Sequence, residues 1–206
     1  FVGLIEPRLS DRDSDRAALA GLRAAIDNLE DLARLTLDAK TNGKSPMQSA
    51  STCSPASNLE RAVQEISRSH PDIDWSTASD GSSPELPLSD AELREILLVL
   101  LRNAAEAMNG RGRARVDMRS DGCEFRVAVS DEGEGFSPEA RSRIFAVGYT
   151  SKAQGSGFGL FLARRLVEKH GGRLELLRST DTGTAFEILL PVAADTGPLA
   201  ARAPAR

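Results

Sequence analysis

Asn103 is a polar residue on the apolar side of a predicted helix. Ile96 and Leu100 lie two turns and one turn before it, and Ala107 lies one turn after it. An amide buried there without a partner would cost about 1–3 kcal/mol. The side chain therefore either bonds locally within the helix or offers its carbonyl oxygen to a hard cation such as Mg²⁺, which takes few protein ligands beside phosphates.

An acidic, glycine-containing segment, Asp131 to Gly135, stands where a predicted strand ends. A carboxylate in that position can accept a hydrogen bond from an exocyclic amine. Gly133 and Gly135 would let the backbone approach a flat ring without a clash at Cβ. An ordinary acidic turn is the alternative interpretation of the same residues.

A second glycine run, Gly155 to Gly159, leads into a predicted helix. Backbone N–H groups beside a helix N-terminus form an anion site, which predicts phosphate binding. The run is not a dinucleotide-fold fingerprint, because no parallel βαβ unit surrounds it, and no Gly-Lys-Ser/Thr follows as in a Walker motif. Thr184 opens the last predicted strand, where its hydroxyl could reach a ring-shaped ligand directly or through a water.

The N-terminal part of the chain carries a heptad-like apolar seam. Its members are Leu19, Leu22, Ile26, Leu29 and Ala33. This spacing predicts a helix over about residues 14–40, whose narrow apolar face needs a partner helix. An amphipathic helix packed on its own domain is the alternative. Residues 1–9 would be the tail of the partner helix, and the Ser-, Thr-, Pro- and Gly-rich residues 43–57 would form a linker.

Helices and strands alternate after that linker. The predicted elements are a short helix from Leu59, a strand with Ile73 and Trp75, a helix capped by Ser89 and running to Met108, a hairpin of Arg113–Arg119 with a strand of Cys123, Phe125, Val127 and Val129, a helix from Ser137-Pro138 to Phe145, a helix from the second glycine run to His170, and a hairpin of Arg173–Leu177 with Thr184–Leu190. Capping, turn and periodicity rules support them. They predict an α+β fold, followed by a disordered tail over residues 193–206.

Composition narrows the range of functions. A net charge of −4 and a pI near 5.4 disfavour nucleic-acid binding. Cys53 and Cys123 fit no metal spacing and predict free thiols in a reducing compartment, although their number leaves a disulfide open. The longest apolar run, Ile96 to Leu101, is too short to span a bilayer, so no direct membrane insertion of this chain is expected.

The order and spacing of these motifs resemble the catalytic domain of sensor histidine kinases of two-component systems. The matching segments are Asn103-Ala-Ala-Glu-Ala, Asp131-Glu-Gly-Glu-Gly-Phe, Tyr149-Thr-Ser-Lys152, Gly155-Ser-Gly-Phe-Gly-Leu-Phe, Lys169-His-Gly-Gly and Gly183-Thr-Ala-Phe. The resemblance implies the Bergerat-type (GHKL) ATP fold, an α/β sandwich with a mixed sheet backed by helices. That domain would cover residues 58–192, with a partial dimerisation hairpin in residues 1–42.

The resemblance also implies roles for individual residues. Asn103 would ligate Mg²⁺, Asp131 would take the adenine amine, and a lid over roughly residues 147–156 would bring Lys152 to the phosphates. A solvated loop lysine is the alternative for Lys152. The full set implied to bind ATP and Mg²⁺ is Asn103, Ala107, Asp131, Gly133, Gly135, Phe145, Thr150, Ser151, Lys152, Gly155, Ser156, Gly157, Phe158, Gly159, Leu160 and Thr184.

Two departures from the family pattern are visible. Val99 stands one turn before Asn103, where the family commonly has a polar residue, so a second group near the metal is missing; Glu106 is a candidate to help there. The phosphoacceptor histidine also appears nowhere on the seam helix, because the two histidines are His70, in a loop, and His170, at a helix end. No catalytic residue is therefore identified. Either a cut before Phe1 or a natural acceptor-less protein would account for this.

The implied partners are a response-regulator receiver domain, whose aspartate would take the phosphoryl group, and a second copy of the chain through the N-terminal hairpin. The expected compartment is the cytoplasm, with a parent protein that is either soluble or membrane-anchored. Two alternatives stay open: a non-catalytic adaptor or phosphotransfer scaffold on the same fold, and an anti-sigma-factor serine kinase.

Overall fold

The computed structural model describes residues 55–150 and 157–192. The predictions for the N-terminal hairpin, for most of the linker and for the tail lie outside these residues. Within them, residues 55–141 and 163–192 belong to one compact unit, called here the sheet unit, and residues 142–150 and 157–162 belong to another. No described helix combines the length and the apolarity that crossing a membrane requires.

A five-stranded mixed sheet organises the sheet unit. Over all the described residues, the elements in chain order are α1 (Pro55–Ser69), β1 (Ile73–Ser79), α2 (Asp90–Ala107), β2 (Gly112–Ser120), β3 (Glu124–Asp131), α3 (Pro138–Arg141), α4 (Gly159–Lys169), β4 (Arg173–Thr180) and β5 (Gly183–Pro191). The strand order is β1-β2-β3-β5-β4; β1 runs parallel to β2, and the other pairs are antiparallel. The predicted α+β fold with a mixed sheet is confirmed.

The core lies between the sheet and the apolar face of α2. The buried positions of β3 alternate, with Phe125, Val127 and Val129 facing inward, as the sequence predicts. The inward residues of α2 recur at helical spacing and are at most 2% exposed: Leu93, Ile96, Leu97, Leu100 and Leu101. Burying each of these side chains stabilises the fold by about 1.5–3 kcal/mol. Asn103 lies on α2 and Asp131 lies at the end of β3, so this core fixes the relative position of the two residues.

Local signals set the ends of the helices as predicted. The hydroxyl of Ser89 accepts from the N–H of Glu92 at 3.3 Å, and the Glu92 carboxylate accepts from the N–H of Ser89 at 2.9 Å, which forms a capping box on α2. At the end of α4, Gly171 has a φ of 74°, and the N–H of Gly172 donates to the carbonyl of Val167 at 3.0 Å. A helix end in the left-handed conformation favours glycine, because glycine has no Cβ to clash there.

Three boundaries differ from the prediction. α1 begins at Pro55, inside the predicted linker, because proline is well tolerated in the first turn of a helix. Cys123 was predicted on the buried face of β3 but is exposed, since Asp121 Oδ1 accepts the N–H groups of Cys123 and Glu124 and holds Cys123 in the turn. The helix predicted to reach Phe145 ends at Arg141, and turns follow it.

The last hairpin is longer than predicted. β4 continues past Leu177 to Thr180, across a register irregularity between Leu176 and Arg178. The irregularity turns Leu177 outward, where it is 53% exposed, so the apolar alternation that predicts a strand breaks there. The extension matters because it brings Ser179 opposite Thr184.

Candidate functional site

Asp131 is the last residue of β3 and is buried, with 6% of its surface exposed. Its Oδ1 atom accepts the backbone N–H of Gly133 at 2.9 Å and that of Thr184 at 3.3 Å. Both bonds go to the same oxygen, and Oδ2 accepts no hydrogen bond from the residues that the structure describes. The carboxylate is therefore held in one orientation, in which its second oxygen could accept a hydrogen bond from a ligand.

The environment of Asp131 affects its pKa in opposing ways. Burial raises the pKa, and this is the largest effect; the N–H groups of Gly133 and Thr184 and the charge of Arg178 act in the other direction. The pKa of Asp131 lies above its ordinary value as a result. A ligand that donates a hydrogen bond to Oδ2 would favour the ionised form, because it stabilises a negative charge that burial has removed from water.

Thr184 lies beside Asp131 in the β3–β5 ladder and is 2% exposed. Its hydroxyl oxygen is buried and has no hydrogen-bond partner among the described residues. A buried hydroxyl without a partner costs about 1–3 kcal/mol, so such a group is usually kept for a ligand or a water. A carboxylate acceptor next to an unpartnered hydroxyl fits a ring that carries an amine beside a ring nitrogen, as adenine does.

The two glycines after Asp131 contact protein backbone. A Cβ on Gly133 would lie 2.6 Å from the carbonyl carbon of Ala107, and the N–H of Glu134 donates to the Ala107 carbonyl at 3.1 Å. A Cβ on Gly135 would overlap the carbonyl oxygen of Thr180. The glycines were predicted to make room for a flat ring. The structure gives a different reason for them, which is close packing on the end of α2 and on β4; their contact with a base stays a prediction.

Asn103 is half-buried on α2, one turn before Ala107 and on the same face. Its Nδ2 atom donates to the carbonyl of Val99 at 2.8 Å. The local bond within the helix, one of the two interpretations of Asn103, is therefore present. It involves the amide nitrogen and not the carbonyl oxygen. Val99 lacks the polar side chain of the family pattern but orients Asn103 through its backbone. Glu106 is exposed on the outer side of the helix.

The second unit contains the predicted base of the lid. Gly157 has a φ of 70°, and a Cβ there would lie 2.7 Å from the carbonyl oxygen of Gly148 and 2.8 Å from the carbonyl carbon of Tyr149. The chain before residue 150 and the chain after residue 156 are thus in contact. Arg143 lies over the ring of Tyr149, 5.0 Å from its centroid. Gly157 is therefore needed for this contact, whatever its amide binds.

The remaining predicted residues are placed as follows. Phe145 is half-buried and Thr150 is exposed, both in the second unit. Gly157 and Phe158 directly precede α4 and Gly159 and Leu160 form its first turn, as the glycine run predicts. Ser151, Lys152, Gly155 and Ser156 lie outside the described residues, so their roles stay predictions.

The motifs gave no indication of a second group of residues around the site. Ser179 and Arg141 hold the loop that follows Asp131, and their contacts are described below. Ser179 is 7% exposed, but it lies beyond Leu177, where the predicted strand ends, so no sequence pattern indicates its role. Arg141 carries no sign at all, because a single arginine in a polar loop is ordinary.

The family model described as "Histidine kinase-, DNA gyrase B-, and HSP90-like ATPase" matches residues 89–194. Among curated proteins, the chain is 33% identical to sensor histidine kinase ZraS of Escherichia coli K12 over 116 residues, which covers 56% of this chain and 25% of ZraS. It is 30% identical to the sensory histidine kinase/phosphatase NtrB of Salmonella typhimurium over 145 residues, 65% of this chain and 41% of NtrB. The chain thus spans less than half the length of either relative.

Solved structures agree with this similarity. A mycobacterial sensor histidine kinase, MprB, superposes with a TM-score of 0.61 at 26% identity, over 68% of this chain and 95% of that one. The nucleotide-free catalytic domain of histidine kinase ThkA superposes with a TM-score of 0.59 at 24% identity, over 66% of this chain and 91% of that one, and supports the fold.

Proposed function

Because the chain belongs to the family of histidine kinase-, DNA gyrase B- and HSP90-like ATPases, we propose that it is the ATP-binding catalytic part of a sensor histidine kinase. It would transfer the γ-phosphoryl group of ATP to a histidine, from which an aspartate of a response regulator receives it. The observation that carries the proposal is the buried carboxylate of Asp131, fixed through one oxygen by two backbone N–H groups.

In this proposal the adenine ring is recognised at Asp131 and Thr184. The exocyclic amine donates to Asp131 Oδ2, and the Thr184 hydroxyl satisfies a ring nitrogen directly or through a water. The loop of Gly133 and Gly135 forms one wall of the pocket, supported by Ala107 on α2. A base with a carbonyl in place of the amine would bring two acceptors together, so the site favours adenine.

Asn103 would hold Mg²⁺ through its carbonyl oxygen, while its amide nitrogen donates to the carbonyl of Val99. When bound with the nucleotide, Mg²⁺ neutralises charge on the phosphate oxygens. The chain's own contribution is to position: the bond to Val99 keeps the oxygen of Asn103 fixed before any ligand arrives. Lys152 and the amides of residues 155–159 would complete phosphate binding.

The acceptor histidine is proposed to come from a partner helix. His170 Nε2 lies 3.1 Å from Glu92 Oε1, and His70 has a buried Nδ1. An in-line acceptor needs an accessible nitrogen and an adjacent carboxylate that orients the ring. His170 has its Nε2 engaged in a structural contact, and no carboxylate among the described residues is bonded to His70, so neither fits the role.

Binding of a non-hydrolysable ATP analogue, measured by titration calorimetry with and without Mg²⁺, tests the proposal. We expect micromolar to millimolar affinity, and a loss of about a hundredfold in Asp131→Asn, because the new amide nitrogen faces the adenine amine. The matched control is Asp117→Asn on the exposed side of β2. Absence of binding by the wild-type chain at millimolar analogue would overturn the proposal.

Phosphotransfer needs a separate experiment. The chain is incubated with γ-labelled ATP and a supplied dimerisation hairpin that contains a histidine followed by an acidic residue. Label on the hairpin supports the kinase proposal. Analogue binding without any label transfer would support the non-catalytic adaptor instead.

A further inference from the structure

Arg141, Phe136 and Ser179 form a closed ring of hydrogen bonds, called here the Arg141 clamp. Arg141 Nη2 donates to the carbonyl of Ser179 at 2.6 Å, and Arg141 Nε donates to the carbonyl of Phe136 at 3.1 Å. The N–H of Phe136 donates to Ser179 Oγ at 2.6 Å, which closes the ring. One guanidinium thus ties the loop after Asp131 to the end of β4.

Two further contacts reinforce the clamp. The ring of Phe136 meets that of Phe186 edge to face, with centroids 6.1 Å apart and an interplanar angle of 78°. A Cβ on Gly135 would lie 2.7 Å from Ser179 Oγ, so the loop backbone already rests on β4. The loop is therefore held at both ends, by Ala107 near Gly133 and by the clamp at Phe136.

The clamp lies next to both donors that orient Asp131. Ser179 is the register partner of Thr184, whose N–H is one of these donors. Gly133, whose N–H is the other, lies three residues before Phe136 in the clamped loop. Movement of the loop away from β4 at Phe136 would be transmitted along the loop to the Gly133 N–H and would loosen its hold on the carboxylate.

We propose that Arg141 is a positioning residue for base selectivity. By clamping the loop it keeps the Asp131 carboxylate in the orientation that accepts from the adenine amine. A carboxylate free to rotate would also accept from the N1–H and the C2 amine of guanine, so the preference for adenine would fall. This inference rests on the proposed function.

The experiment measures the dissociation constants of ADP and GDP by titration calorimetry, at fixed Mg²⁺, on the whole chain. The variants are Arg141→Ala, Arg141→Lys and Ser179→Ala. Arg115→Ala is the matched control, because Arg115 forms an exposed ion pair with Asp117 on the other side of the sheet. Lysine keeps the charge but cannot donate to two carbonyls in the forked geometry of a guanidinium.

We expect Arg141→Ala to weaken ADP binding about tenfold and GDP binding much less, so that the ratio of the two constants falls about tenfold. Arg141→Lys should recover part of the ratio, Ser179→Ala should reproduce the loss, and Arg115→Ala should leave it unchanged. A purely structural role would lower the melting temperature and leave the ratio as in the wild type.

The outcomes separate the two proposals. If the wild-type chain binds neither nucleotide, the proposed function is wrong and this inference is lost with it. If the wild type prefers ADP and the ratio stays constant in both Ser179→Ala and the Arg141 variants, only the role of Arg141 is overturned. Ser179→Ala decides the matter if Arg141→Ala does not fold.

Discussion

Glu92, in the first turn of α2, accepts a hydrogen bond from the ring of His170, just after the end of α4, over 3.1 Å. Lys169 Nζ reaches the same oxygen at 3.1 Å, while the other carboxylate oxygen completes the capping box with Ser89. A single carboxylate thus joins the start of one helix to the end of another, and both ends gain from the helix dipoles.

Acid should weaken this contact. Burial alone would raise the pKa of Glu92, but hydrogen bonds from Ser89, His170 and Lys169 lower it from 4.5 to about 2. A lowered pKa stabilises the fold above the unfolded value and loses that effect as pH falls from about 4.5 to about 2. We expect Glu92→Gln to reduce the free energy of unfolding by about 2 kcal/mol at pH 7 and much less at pH 2.5.

Urea denaturation at the two pH values measures this difference. Glu65→Gln is the control, since Glu65 forms an exposed ion pair with Arg94 and should contribute well under about 1 kcal/mol at either pH. Equal losses in Glu92→Gln at both pH values would show that the carboxylate charge has no part in joining the helices.

Gly135→Ala should destabilise the sheet unit by about 2–4 kcal/mol, because the new methyl group would overlap the carbonyl of Thr180. Gly81→Ala separates sterics from backbone strain. Gly81 has a φ of 77° with open space around it, so its cost is limited to about 1–2 kcal/mol from the left-handed conformation. Thermal unfolding of both variants gives the comparison; a smaller loss for Gly135→Ala than for Gly81→Ala would mean that the loop can move off β4.

Thr184→Val should separate stability from binding. Valine matches threonine in shape and removes a buried hydroxyl without a described partner, so the ligand-free protein should be as stable as the wild type or more stable by about 1 kcal/mol. Affinity for ADP should fall about tenfold, since a ring nitrogen loses its partner. Melting temperature and titration calorimetry are compared with Thr77→Val, on the exposed face of edge strand β1. A destabilised variant that binds ADP normally would assign Thr184 to the fold alone.

Elements with strong local signals could be predicted, and long-range contacts could not. The capping box of Ser89 and Glu92 and the alternation in β3 are visible in short windows of sequence. The link from Glu92 to His170 joins residues 78 positions apart, so no window contains it. Arg141 shows the same limit at the site: its two acceptors are backbone carbonyls, which every residue possesses.

The glycines show a subtler limit. Their positions at 133 and 135 were predicted to matter, and they do, but the sequence could not tell a close approach to a ligand from a close approach to the protein. The contacts with Ala107 and Thr180 show the approach to the protein, and the approach to a base stays a prediction. A glycine motif therefore indicates where the backbone is crowded more reliably than it indicates what crowds it.

Asn103→Ala should reduce the effect of Mg²⁺ on nucleotide binding and leave metal-free binding nearly unchanged. The amide nitrogen of Asn103 donates to the carbonyl of Val99, and the proposal assigns its oxygen to the metal and gives it no contact with the base. The affinity for an ATP analogue is measured with Mg²⁺ and with EDTA; we expect the ratio of the two constants to fall about tenfold. Gln64→Ala, on the exposed face of α1, is the control. An equal loss under both conditions would show that Asn103 shapes the pocket and does not hold the metal.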